Sequence, residues 1–132
     1  MGKSLGKRRI LVVEDDEDNL ELVCFLLEQA GYDMLQANDG REGLELANSQ
    51  HPHMILLDMS IPEIDGWNLA RQLKESPDTS DILIIALTGH TAPGDRKRAF
   101  AAGCDGYISK PLDIPSFCAQ VTELMENNQK PA

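Results

Sequence analysis

The residues able to do chemistry stand at the ends of short apolar runs: Glu14 and Asp15 after Ile10–Val13, Asp58 after Met54–Leu57, Thr88 after Ile82–Leu87, and Lys110 after Gly106–Ser109. Carboxylates brought together repel one another unless a cation joins them, and an all-oxygen site with room for water suits Mg²⁺. Neither His nor Cys stands in this set, which argues against zinc or copper. Lys110 adds a point charge for an anion, and Thr88 adds a hydroxyl donor. Such a set suits an incoming phosphoryl group, whose spread charge needs electrostatic stabilisation and alignment more than a general base. Asp58 is then the nucleophile, and an aspartyl-phosphate is the product.

Other phosphate chemistry fits less well. The sequence has no GxxxxGK[ST] loop and no GxGxxG after its first apolar run, so a nucleotide would lack its cradle of backbone N–H groups. An Asp-nucleophile phosphatase of the haloacid dehalogenase type would want a second acid two residues after Asp58, where Ser60 stands. A GxSxG elbow is also absent.

For groups so far apart in sequence to meet, the runs that carry them must be strands of one parallel sheet, because ligands gather outside the carboxyl ends of such strands. The pattern between the runs supports this. Leu20, Val23, Cys24 and Leu27 recur at helical spacing, and Ala30-Gly31 closes that helix. Tyr32 to Ala37 reads as a strand. Asp39 and Glu42 have the spacing of a capping box for a helix that buries Leu44 and Ala47 and ends before Pro52. Leu69, Ala70 and Leu73 mark a third helix. A fourth has Pro93 in its first turn, Ala99 and Phe100 facing inward, and Gly103 at its close. Ile114, Phe117, Cys118, Val121 and Met125 place one apolar face on the last helix. Strands alternating with helices predict a parallel sheet covered on both faces.

Composition sets the bounds. A chain of 132 residues with 42% apolar content fits one domain, with a basic arm at 1–8, a folded part at 9–126 and a polar tail at 127–132. Twelve basic against 22 acidic residues give a formal charge of -10, which opposes direct binding to nucleic acid through a basic surface. Cys24, Cys104 and Cys118 form no CxxC pair and read as reduced core thiols. No apolar run approaches the roughly 20 residues needed to span a bilayer, and no signal-peptide core is visible, so a cytoplasmic protein without a membrane partner is expected.

Taken as a set, Val13-Glu14-Asp15-Asp16, the strand ending on Asp58, Ile61-Pro62 with Asp65-Gly66, Leu87-Thr88-Gly89, and Gly106-Tyr107-Ile108-Ser109-Lys110-Pro111 resemble the receiver domain of two-component response regulators over roughly residues 9–126. The resemblance implies a flavodoxin-like (βα)5 fold with strand order 2-1-3-4-5. It implies phosphorylation of Asp58 by a sensor histidine kinase or a histidine phosphotransfer protein. By position, Asp15 and Asp58 ligate Mg²⁺, Ser60 lends its backbone carbonyl, and Glu14 holds a metal-bound water. Thr88 and Lys110 contact the phosphoryl oxygens, Tyr107 is the switch aromatic, and Lys110-Pro111 is a cis peptide. Ser60 and His90 border the path of the hydrolytic water and are expected to tune dephosphorylation.

Plainer readings apply to several of these residues. Asp16, Glu17 and Asp18 favour the positive end of the following helix. Trp67 is expected to pack, and His51 and His53 to be solvated around Pro52. The output is expected to be contact with a downstream protein, by a monomer or a phosphorylation-dependent dimer, and the domain to be a phosphoacceptor that assists its own phosphorylation and autodephosphorylation without being an enzyme. Two readings compete: a constitutive interaction module, whose mark would be loss of Asp15, Asp58 or Lys110, and a flavin carrier, which the missing phosphate loop disfavours.

Overall fold

In the computed structural model, residues 8–59, 66–88, 93–110 and 112–129 are described. Strands and helices alternate as β1 (Arg9–Val13), α1 (Glu17–Gln29), β2 (Asp33–Ala37), α2 (Gly40–Gln50), β3 (Met54–Asp58), α3 (Gly66–Glu75), β4 (Leu83–Thr88), α4 (Pro93–Ala101), β5 (Gly106–Ser109) and α5 (Ile114–Gln129). All strand pairs are parallel, in the order β2-β1-β3-β4-β5 expected from the sequence. The fold is flavodoxin-like, with β3 at the centre.

Every residue of β3 and β4 is buried, because helices cover both faces of the sheet. Alternate residues of β3 serve two separate cores. Ile55 and Leu57 pack with Leu69, Ala70 and Leu73 of α3, Ala47 of α2 and Ala99 of α4. Met54 and Leu56 pack with Leu20, Val23 and Leu27 of α1 and Phe117, Val121 and Met125 of α5.

Local chemistry fixes the helix ends. Asp16 Oδ1 accepts from the N–H groups of Asp18 and Asn19 at 2.9 and 3.4 Å, so the acid run does cap α1. Gly31, at φ +101°, ends it. Asp39 Oδ1 accepts from the Glu42 N–H at 2.9 Å, and Glu42 Oε1 accepts in return from the N–H of Asn38, one residue earlier than a standard capping box. Behind α3, Lys74 Nζ lies 2.8 Å from Asp105 Oδ2 and donates to the carbonyls of Ser80 and Ile82 at 3.1 and 2.8 Å, while Asp105 accepts from the Ile84 N–H at 2.9 Å.

Some expectations need correction. Phe100 does not face inward; it is 48% exposed, because α4 turns only Ala99 fully into the core among its described side chains. Ile114 is 50% exposed, since it stands in the first turn of α5 before that helix reaches the sheet. Leu44 is only half-buried, at the margin of its core. His51 and His53 are exposed yet engaged: His51 Nε2 meets Asp81 Oδ1 at 3.0 Å, and His53 Nδ1 accepts from the Arg9 N–H at 3.0 Å. Tyr32 precedes β2 and instead bonds Thr122 Oγ1 through its hydroxyl at 2.9 Å. Cys24 and Cys104 are buried and Cys118 half-buried, and all are free thiols.

Candidate functional site

Backbone bonds deliver the strand ends to one edge. The Glu14 N–H donates to the Ala37 carbonyl at 3.0 Å, Met59 N–H to Leu87 at 3.1 Å, and Lys110 N–H to Thr88 at 2.8 Å. These bonds continue the sheet ladder one residue beyond each strand, so Glu14, Asp58, Thr88 and Lys110 share one rim. Glu14, Asp58 and Thr88 are buried; Asp15 is exposed.

Lys110 Nζ lies 3.2 Å from Glu14 Oε1 and 3.4 Å from Asp58 Oδ2. One carboxylate oxygen from each of Glu14, Asp15 and Asp58 can be chosen so that all lie within 4.8 Å of one another. Burial, the hydrogen bond to Asp58 and the charge of Asp58 together push the Glu14 carboxyl up to about 7, against the opposing pull of Lys110. Burial would lower the pKa of Lys110, but Asp58 and Glu14 more than offset it and hold the ammonium above its ordinary value. Two buried acids, one exposed acid and one cation form a set still short of positive charge. Oxygen donors alone, with Asp15 open to solvent, fit a hard divalent ion such as Mg²⁺.

A cavity of about 330 Å³ opens beside the carboxylates, lined by Glu14, Asn19, Leu22, Lys110, Leu112 and Ile114. No motif marks Asn19, Leu22 or Leu112 in the sequence; their place follows from α1 and the start of α5 flanking the β1 and β5 ends. Tyr107 is half-buried on β5, paired in register with Ala86, and packs against the core under α3 and α4. Trp67 packs as expected, and in addition the Arg98 guanidinium of α4 sits over its ring, 4.3 Å from the centroid. Nothing in the sequence announces that pair. Ser60, His90, Pro111 and the Ile61-Pro62 and Asp65 motif positions lie outside the described residues, as do residues 1–7 of the basic arm and 130–132 of the tail. Among the described residues no helix is long and apolar enough to cross a membrane.

Comparison with known proteins agrees with this geometry. The model of the response regulator receiver domain matches residues 10–122. The polar-differentiation response regulator DivK of Brucella ovis is 37% identical over 110 residues, which cover 83% of this chain and 89% of that protein. The signal receiver domain of a signal transduction histidine kinase from Syntrophus aciditrophicus has a TM-score of 0.84 and 32% identity, over 95% of each chain. A BeF3-activated DrrB receiver domain has a TM-score of 0.80 and 28% identity, over 91% of this chain and 98% of that one.

Proposed function

The chain belongs to the response regulator receiver family, and from that membership we propose that Asp58 is its phosphoacceptor, with Mg²⁺ held by Glu14, Asp15 and Asp58. The domain is a signalling module of two-component systems, so its donors are histidine kinases or histidine phosphotransfer proteins. The observation that carries the assignment is the position of Lys110 between Glu14 and Asp58, at the edge where three carboxylates converge.

In this reading Asp58 Oδ attacks the phosphorus of a phosphohistidine. The O–P bond forms as the P–N bond breaks, and the imidazole leaves and takes a proton from solvent. The metal ion, when bound, would neutralise the acids and draw the phosphoryl oxygens toward them. Lys110 holds a phosphoryl oxygen in place of the carboxylate it now faces, and the Thr88 hydroxyl donates to another. Both groups are buried or half-buried, where a charge-assisted hydrogen bond is strong. By their positions in the family's motifs, the Ser60 carbonyl would add an oxygen to the metal's set, and Ser60 and His90 would tune hydrolysis of the acyl phosphate.

Thr88 ends β4 immediately before the segment leading to α4, and Tyr107 lies one strand away, so the phosphorylated site is read through α4, β5 and α5 by a downstream protein in the cytoplasm. A constitutive module would have no need to keep Asp15, Asp58 and Lys110, and all are kept. Residues 9–126 form the receiver unit, flanked by the arm and tail.

Incubation with Mg²⁺ and a small phosphodonor, followed by intact mass measurement, tests the assignment. A gain of one phosphoryl group that chelator and Asp58→Asn both abolish is expected. A gain that survives Asp58→Asn would overturn it.

A further inference from the structure

Trp67 and Arg98 have no part in the chemistry above, yet they join the two helices that flank its readout. Trp67 is the second residue of α3, directly after Gly66. A Cβ on Gly66 would stand 2.6 Å from Met59 Cα and 3.1 Å from the Asp58 carbonyl oxygen, so the start of α3 lies hard against the backbone that bears Asp58. On the other side, α4 opens at Pro93, and only residues 89–92 separate it from Thr88.

The described part of α4 is lightly held. Ala99 is fully buried, whereas Lys97, Arg98, Phe100 and Ala101 are exposed. Among the described side chains of α4 this alanine alone is fully buried, and a segment with few buried apolar contacts shifts at low cost. Its placement against α3 is therefore sensitive to a single further contact, and the Arg98 guanidinium over the Trp67 ring is such a contact. Attraction between a cation and a ring fades beyond about 6 Å from the centroid. A displacement of α4 by a couple of ångströms away from α3 would break it.

We propose that Arg98 and Trp67 form a clasp that holds α4 against α3 while Lys110 faces the unphosphorylated Asp58 carboxylate, and so sets how readily the domain switches. A contact biases an equilibrium only if it differs between the two states. Trp67 follows Gly66, which abuts the Asp58–Met59 backbone, and Arg98 rides on the helix that follows Thr88, so a movement of Thr88 relative to the Asp58 strand would alter the contact. The clasp rests on the assignment of Asp58 and Thr88 above.

The test titrates the full chain with beryllium fluoride at saturating Mg²⁺ and follows backbone amide resonances of Thr88 and α4, for wild type, Arg98→Ala, Arg98→Lys, Trp67→Leu and the Arg98→Ala/Trp67→Leu double variant, with Asp58→Asn as control. An exposed clasp of this kind predicts that Arg98→Ala and Trp67→Leu each lower the half-saturating concentration about two- to five-fold. Arg98→Lys keeps the cation and stays near wild type. The double variant matches the single ones, because either change already opens the clasp. Equal midpoints for wild type and Arg98→Ala, or additive effects in the double variant, would overturn the clasp alone, provided wild type responds and Asp58→Asn does not. A wild type that gives no Asp58-dependent response would overturn the phosphoacceptor assignment as well.

Discussion

Lys110 Nζ sits 3.4 Å from Asp58 Oδ2, on the same nitrogen that lies 3.2 Å from Glu14 Oε1. One ammonium thus offsets two buried carboxylates. Replacing it with an isosteric apolar chain, Lys110→Met, leaves both acids without it and removes a hydrogen bond to the transferring group. Such bonds are worth about 1.5–3 kcal/mol, so the initial rate of uptake from a small phosphodonor should fall by about ten- to a hundred-fold. Quenched-flow mass measurement checks this, and a rate within two-fold of wild type, taking roughly 0.4 kcal/mol as the resolution, would refute the role.

The raised Glu14 carboxyl makes a statement about pH. An ordinary glutamate in the unfolded chain loses its proton near 4.5, whereas the folded chain holds this one up to about 7. Between those values the folded state binds more protons at this group, so the contribution of Glu14 to metal-free stability is full below about 4.5 and is lost as pH rises through about 7. Urea midpoints measured in chelator across this window should decline, and Glu14→Gln should flatten that decline. Mg²⁺ competes with the same proton, so its stabilising effect should grow as pH rises. A slope unchanged by Glu14→Gln would refute the assignment.

Gly66 allows α3 to touch the Asp58 strand. In Gly66→Ala the new methyl would lie 2.6 Å from Met59 Cα, a backbone atom that cannot turn aside. Overpacking of this kind costs about 1–3 kcal/mol. Urea unfolding should show a lower midpoint at constant slope, and phosphoryl uptake should slow because the Asp58 backbone must shift.

Lys74 offers a contrast at the opposite end of the sheet. Lys74→Met strips a partner from Asp105 and from the Ser80 and Ile82 carbonyls. A loss of about 2–3 kcal/mol in stability is expected. Phosphoryl uptake by the folded fraction should be unchanged, and a large change in uptake would mean that the two ends of the sheet are coupled.

Which features were legible in the sequence follows from how each is encoded. The run Met54–Leu57 is apolar without interruption and Asp58 closes it, so its burial, its central place and the acid's position at the sheet edge could all be read from five consecutive letters. Glu14, Thr88 and Lys110 repeat the same local pattern, which is why strand order then brings them together. The errors fell where local pattern is thin. In α4 the stretch from Arg96 to Ala101 offers Ala99 and Phe100 side by side, with no apolar residue a turn away within that stretch to say which of the two faces the core. Ile114 fits the spacing of α5 but stands in its first turn, where position along the axis rather than face decides exposure. Lys74 with Asp105 and Trp67 with Arg98 are contacts across 31 residues each. They join residue types common on any surface, so only the three-dimensional arrangement reveals them.

Trp67 is the single tryptophan of the chain, and its indole lies beneath a guanidinium. The emission of an indole depends on the charge above its ring and on its access to water. The unlabelled protein therefore carries its own optical gauge of the spacing between α3 and α4. Red-edge excitation, which passes over its two tyrosines, would follow that spacing in real time while a donor, a metal or a reader protein is added, with no dye and no engineered cysteine.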